Sequence, residues 1–306
     1  MSVPSRLSEV FKTSEVIKFN NSDKFVLFSD CHRGDNSWAD DFAPNQNIFF
    51  HALNYYYDKD FTYIEVGDGD ELWENRFFED IRKGYNHIFW KLSEFYREKR
   101  LYLMWGNHNR KWKNPRNVEK YLYNYEEETG KKPEAKPTPK PLFKGIKVRE
   151  GLTLLHSETN KKIFITHGHQ GDMLNDKYWW FGKFVVRNIW KSLQILGFKD
   201  PTSPAKNFKK RKKLEKAMAE WIKGKNGNKG KADLLIVGHT HKPYQPDNNE
   251  TPYFNTGSCV HPRCITCIEI EKGKITLKKW FIDVNSAKGG ILFVKWKQLT
   301  KKAYKL

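Results

Sequence analysis

The chain has 306 residues, 30% of them charged and 15% aromatic, and a formal charge of +19 at pH 7. That length suits one large domain or two modest ones, and the aromatic share excludes wholesale disorder. Its 20 glycines and 13 prolines exclude a fibrous repeat, and no window approaches 18 uninterrupted apolar residues, so no spanning helix is expected. The opening MSVPSRLSEVFKTSEV lacks the apolar core of a signal peptide. With four cysteines (Cys31, Cys259, Cys264 and Cys267), the expectation is a soluble, cytoplasmic chain that does not rely on disulfides.

Five short apolar runs read as strands: Lys24–Ser29, Phe61–Val66, Leu101–Trp105, Lys162–Thr166 and Asp233–Val237. Helix-length stretches, Asn45–Tyr57 and Phe77–Lys99, separate the first three. This β-α-β-α-β start predicts an α/β domain whose functional loops lie at the carboxyl ends of its strands. Lys131–Leu142 holds four prolines and reads as an extended loop. Ile146–His156 and Lys162–Thr166 read as a hairpin joined through Ser157–Lys161. Tyr178–Lys231 reads as helical, its first half crowded with aromatics and its second carrying Leu214, Ala217, Met218, Trp221 and Ile222 as one stripe. From Tyr253 onward, Cys264–Ile270 and Lys274–Phe281 alternate with period two and read as antiparallel strands.

The charge is uneven. Between Lys206 and Lys231 there are 11 Lys or Arg against two Glu. A basic patch suggests an anionic partner: nucleic acid, phospholipid or a phosphorylated small molecule. The plainer reading is a solvated helix face.

Each of the five strands ends in polar residues able to hold a metal. They are Asp30-Cys31-His32, then Gly67-Asp68-Gly69-Asp70-Glu71, Gly106-Asn107-His108-Asn109, His167-Gly168-His169 and Gly238-His239-Thr240-His241. Six of the ten histidines lie in these turns. In D-x-H and H-x-H, alternate side chains of an extended strand end leave the same side and reach one ion. Mixed Asp, His and amide donors suit manganese, iron or zinc rather than a calcium cage. Glycine before Asp68, Asn107 and His239 allows tight turns and close backbone approach.

This series resembles the signature of the calcineurin-like metallophosphoesterases, from Asp30 to the NTGS stretch at Asn255–Ser258. The resemblance implies two facing mixed β-sheets flanked by helices, an α/β-β/α sandwich, with a two-metal site at one edge. It implies a single such domain over residues 1–306, with the Pro/Lys-rich loop at 131–142 and a helical, lid-like insertion at 178–231. Carried over, Asp30, His32, Asp68 and His241 would hold one divalent ion. Asp68, Asn107, His167 and His239 would hold the other, with manganese foremost and iron or zinc as alternatives. His108 would touch the scissile phosphate and Glu71 would orient it, although Asp70 is adjacent and a candidate for that role. The implied reaction is hydrolysis of a phosphomonoester, phosphodiester or pyrophosphate by a hydroxide shared between the ions.

Some positions depart from the pattern. Asn109 replaces an acid, and His169 is an extra imidazole that, with Arg110, is a candidate for contacting substrate. Leu72 and Trp73 follow Glu71 where protein phosphatases carry Arg. GDGDELW is closer to the UDP-2,3-diacylglucosamine pyrophosphohydrolase branch, which acts on a lipid-linked pyrophosphate. Three functions therefore compete. The first is a phosphoesterase for a small or lipid-linked anionic substrate, with peripheral membrane contact through the amphipathic half of the insertion. The second is a nuclease or nucleotide phosphodiesterase using Lys209–Lys213. The third is a non-catalytic binding module of the same fold. Cys264-x-x-Cys267, lacking a second pair, is not expected to bind zinc. Cys31 is expected to be a buried thiol, and His51, His87, His156 and His261 to be ordinary core or surface histidines.

Overall fold

The computed structural model describes residues 2–125, 140–172, 176, 180, 208–224, 232–285 and 289–306. Helix α1 (Val3–Thr13) starts at Ser2, whose hydroxyl accepts from the Ser5 N–H, and is followed by β1 (Glu15–Phe19) and β2 (Phe25–Phe28). Next come α2 (Gln46–Asp58), β3 (Thr62–Val66), α3 (Phe78–Gly84), α4 (Asn86–Arg97), β4 (Leu101–Met104) and α5 (Pro115–Leu122). A small ladder pairs β5 (Asn124–Tyr125) with β6 (Lys140–Pro141), ahead of β7 (Val148–Arg149), β8 (Gly151–His156) and β9 (Lys162–Thr166). Helix α6 (Phe208–Ile222), β10 (Leu234–Val237) and β11 (Tyr253–Asn255) follow. The chain then runs through β12 (Cys264–Glu271), β13 (Lys274–Asn285), β14 (Ile291–Gln298) and β15 (Tyr304–Lys305).

Two mixed sheets result. One has the order β14-β13-β12-β2-β3-β4-β7, with β15 on β13; the other runs β1-β8-β9-β10-β11. Period-two geometry explains why the central strands read as continuous apolar runs. In β2, Phe25 and Leu27 face the layer between the sheets, while Val26 and Phe28 face α2 and α4. In β10, Leu234 and Ile236 face that same layer, while Leu235 and Val237 pack against α1 and α6. The central strands of both sheets are covered on both faces, giving the helix–sheet–sheet–helix sandwich the sequence implied.

Three expectations need correction. The helix expected over 77–99 breaks between α3 and α4, where Gly84 weakens it and Tyr85 turns to donate its hydroxyl to Asp40. The strand expected over 146–156 divides at Glu150. Its first part, β7, pairs with β4, and β8 alone makes the hairpin with β9 in the other sheet. The apolar stripe of α6 is not free to meet lipid or substrate: Leu214, Met218 and Trp221 are buried against α1 and the five-stranded sheet. The aromatic half of the insertion (178–179 and 181–190), its continuation to 207, residues 225–231 and the loop at 131–139 lie outside the described residues. No described helix is long and apolar enough to cross a membrane.

Candidate metal centre

Strands β2, β3 and β4 are parallel neighbours in one sheet, as β9 and β10 are in the other, so their carboxyl-end loops gather at one edge. Backbone hydrogen bonds join the loops. The His32 N–H donates to the Asp68 carbonyl (2.9 Å), and the Gly238 N–H donates to the His167 carbonyl (2.9 Å). Main chain also aims the carboxylates: the His108 N–H donates to Asp68 Oδ1 (2.8 Å) and the His239 N–H to Asp30 Oδ2 (2.9 Å).

The donors fall into three close groups: Asp30, His32 and His241; Asp68, His167 and His239; and His32, Glu71 and His108. His241 Nε2 is 3.1 Å from Asp30 Oδ1, and His167 Nε2 is 3.0 Å from Asp68 Oδ2. His32 Nε2 lies 3.8 Å from Asp30 Oδ1 and 3.9 Å from Asp68 Oδ2, so Asp68 touches both of the first two groups. Two ligands about 2.1 Å from a common ion stand about 3.0–3.4 Å apart.

Among the described residues, nine buried side-chain N or O atoms have no hydrogen-bond partner, and six belong to this edge: Asp30 Oδ1, His32 Nε2, Asn107 Oδ1, His167 Nε2 and both ring nitrogens of His169. A buried polar atom without a partner is costly, and divalent cations at this edge would partner Asp30 Oδ1, His32 Nε2, Asn107 Oδ1 and His167 Nε2 together. The donor set therefore fits the transition ions the sequence implied.

The local backbone differs from the extended strand end expected of D-x-H and H-x-H. Asp30 (φ 50°), His32 (φ 47°), Asp68 (φ 49°), His239 (φ 65°) and His241 (φ 56°) are all left-handed. Asp and His tolerate this region better than most residues, and alternating turns, rather than alternating pleats, converge the side chains. Gly106 supplies close approach: a Cβ there would lie 2.3 Å from Asp68 Oδ1 and 2.7 Å from His167 Cδ2.

Glu71 binds two imidazoles at once. Its carboxylate is 2.6 Å from His32 Nδ1 and 2.8 Å from His108 Nδ1, and it accepts the Trp73 N–H (3.1 Å). Burial alone would raise its pKa, but His108 and His32 hold it below the usual carboxylate range. Asp30 and Asp68 are likewise lowered against burial, chiefly by His241 and His167 for Asp30 and by His167 and His108 for Asp68. Trp73 stacks on the His108 ring, with centroids 4.2 Å apart. His167 Nδ1 is 2.9 Å from the Val66 carbonyl, which fixes the proton there and leaves Nε2 toward Asp68.

A sequence profile described as calcineurin-like phosphoesterase matches residues 23–243. The chain belongs to the calcineurin-like phosphoesterase family. No curated protein matches it. Among solved structures it is similar to a predicted phosphoesterase from Streptococcus pneumoniae, at 14% identity over 90% of this chain and 97% of that one, with a TM-score of 0.33. An archaeal phosphodiesterase shows 15% identity over 90% and 99%, with a TM-score of 0.36. Zinc-bound Vps29 from Entamoeba histolytica shows 14% over 90% and 99%, with a TM-score of 0.36.

Asp70 turns away from His108 and accepts from Arg33 Nε (3.0 Å) and Trp112 Nε1 (2.9 Å). Asn109, which replaces an acid, closes the turn by accepting the Gly106 N–H (2.6 Å). His169 is buried beside Trp105, and burial together with His167 and His239 holds its pKa well below the ordinary value. Arg110 lies over the Trp105 ring and reaches Asp176 Oδ1 (3.3 Å). The four cysteines are free and buried.

Sequence reasoning missed two buried charges. Arg33 makes paired bonds to Glu65 (2.7 and 2.9 Å) beneath the Asp68–Glu71 loop. Asp172 lies 3.6 Å from His239 Nε2 and 2.9 Å from Lys210 Nζ. Both partnerships span long sequence separations. A motif-adjacent Arg in a loop was the available signal for the first, and none marked the second.

Proposed function

We propose that this chain is a metal-dependent phosphoesterase that hydrolyses a phosphomonoester, phosphodiester or pyrophosphate bond with two divalent transition ions, manganese foremost. The observation that carries the reading is the division of the buried donors into an Asp30–His32–His241 group and an Asp68–His167–His239 group, with Asp68 within reach of both. Asn107, whose Oδ1 is buried without a hydrogen bond, completes the second set. Divalent cations held there would neutralise phosphoryl charge and lower the pKa of water.

The remaining chemistry belongs to side chains. Glu71 fixes the His108 proton on Nδ1 or, when the ring is doubly protonated, stabilises the charge, so that Nε2 meets the substrate. In its doubly protonated form His108 donates from Nε2 to a phosphoryl oxygen or gives that proton to the leaving alkoxide. Trp73 holds the ring in place. We also assign His169 and Arg110, which both neighbour the Trp105 ring, as candidates for contacting the substrate. A net charge of +19 supports an anionic substrate, small or lipid-linked. We further assign residues 1–306 to one domain.

The test has two arms. Protein purified without chelator should carry close to two transition ions per chain by elemental analysis. With manganese, it should hydrolyse at least one member of a panel of aryl phosphates, phosphodiesters, nucleotides, nucleic acids and lipid pyrophosphates. Cleavage confined to nucleic acid would assign the nuclease reading. Full metal loading with no hydrolysis anywhere on the panel would sink the enzymatic reading in favour of a binding module.

A further inference from the structure

The two strands β13 and β14 outrun the rest of their sheet. Strand β12 begins at Cys264, opposite Phe281, so residues 282–285 of β13 pair with β14 alone among the described residues. Directly opposed residues of an antiparallel pair share a face. On one face lie Ile282 with Val294 and Val284 with Leu292; on the other, Asp283 with Phe293 and Asn285 with Ile291. Ile282 (42%), Val284 (52%), Leu292 (65%), Ile291 (60%) and Phe293 (39%) are exposed, so the ribbon exposes apolar side chains on both faces, beside Asp283 and Asn285 on the second. A two-stranded ribbon is marginal in water without a third partner, and an apolar edge strand this exposed calls for one.

The root of the ribbon is different. Lys279, Lys295 and Lys297 surround the Phe281 ring, their Nζ atoms 5.4–5.8 Å from its centre. Lys295 pairs with Asp283, the sole acid on the ribbon. Exposed Arg263 precedes Cys264 at the same level, and Trp296 is 41% exposed there. Exposed apolar side chains beyond a cationic, aromatic collar match the polarity gradient of a lipid headgroup layer. A protein partner would cover one face; immersion covers two.

Direction matters too. Because β12 is antiparallel to both β2 and β13, β13 runs with β2, and the ribbon leaves the sheet at the edge bearing Asp30 and His32. It stands two strands from β2, about 10 Å to the side. Four residues per strand project about 13 Å, enough for entry into the headgroup boundary.

We propose that the ribbon formed by residues 282–285 and 291–296 docks this protein on an anionic lipid bilayer, with Ile291, Leu292 and Phe293 in the headgroup layer and Lys279, Lys297 and Arg263 against lipid phosphates. Docked this way, the candidate metal centre faces the membrane. The inference goes beyond the proposed hydrolysis and does not require it.

The test is sedimentation of the full chain with vesicles of phosphatidylcholine, with and without equal parts of phosphatidylglycerol. Wild type should bind the anionic vesicles and release with rising salt. The Ile291→Ser/Leu292→Ser/Phe293→Ser variant should lose at least about tenfold in vesicle affinity, since each position loses apolar area that lipid would cover. Its metal content and hydrolysis of a small aryl phosphate should be unchanged. No binding by wild type, or equal binding by the variant, overturns the proposal. So does a wild-type dimer that the variant dissolves without any change in vesicle binding, which would make the ribbon a self-association surface. If the triple variant misfolds, Lys279→Gln/Lys297→Gln decides: weakened binding to anionic vesicles upholds the proposal, and unchanged binding overturns it.

Discussion

The Glu71→Gln substitution tests the coupling at the centre of the site most directly, because it keeps shape and removes charge. Glu71 Oε1 accepts the backbone N–H of Trp73 (3.1 Å) and Glu74 (3.4 Å), so the oxygen of the new amide will stay on that side. Its NH2 group must then occupy the Oε2 position, 2.6 Å from His32 Nδ1. Two donors would oppose each other unless His32 moves its proton to Nε2, the buried nitrogen that faces Asp30 and Asp68. Either outcome removes one hydrogen bond to a charged group, worth about 1.5–3 kcal/mol. At about 1.4 kcal/mol per decade, that is roughly a 10- to 100-fold loss, the usual range for a group that orients a metal ligand. Manganese titration of aryl phosphate hydrolysis separates the two effects. The half-saturating metal concentration should rise by that factor, while kcat at saturating manganese falls less, since His108 can still bond the amide oxygen. An unchanged metal midpoint, with the whole loss in kcat, would refute the link from Glu71 through His32 to an ion.

Other expectations follow from the same geometry. His108→Ala should retain most metal and lose on the order of 10²–10⁴ in turnover, whereas Asp68→Asn should lose metal and turnover together; elemental analysis beside steady-state kinetics distinguishes them. Gly106→Ala should resemble Asp68→Asn in metal content, because its methyl would stand 2.3 Å from Asp68 Oδ1. Arg33→Met leaves Glu65 and Asp70 buried without their guanidinium and should cost about 3–5 kcal/mol, read as a lowered Tm by calorimetry. Adding Glu65→Gln and Asp70→Asn to that variant should recover part of the loss.

What the sequence disclosed depended on how local the determining interaction is. The central strands β2, β3, β4, β9 and β10 were legible because both of their faces are buried, which leaves unbroken apolar runs ending in polar turns. The candidate donors were legible because each follows its strand within a few residues. The edge strand β1 was not: EVIKF is mostly exposed, and its place is set by parallel pairing with β8, over 130 residues away. Nor was the division at Glu150, where one polar residue sends the chain from one sheet to the other. Nothing local marks Arg33 as buried, since its burial is decided by Glu65 and Asp70 on another strand and its loop. The strand-end geometry was misread for a related reason. A D-x-H spacing is equally compatible with pleat and left-handed turn, and the choice is made by hydrogen bonds to the neighbouring loop, such as Asp30 N–H to the Gly67 carbonyl (3.2 Å).

Those left-handed turns also require a surrounding frame that holds them. Five non-glycine residues held at positive φ cost on the order of 1–3 kcal/mol each, a total comparable with the net stability of a whole domain. Paired main-chain bonds hold two of the loops against that strain: the Arg33 N–H donates to the Gly69 carbonyl, and the Glu71 N–H donates back to the Arg33 carbonyl, each at 2.9 Å. The Arg33 side chain then reaches beneath both loops to Glu65 and Asp70, so the backbone clasp and the buried ion pairs act on the same residue. Such a frame fixes Asp30, His32, Asp68 and Glu71 relative to one another independently of any bound cation. Donors held this way lose little conformational freedom on binding an ion, and the strain already present is not added to the cost of binding.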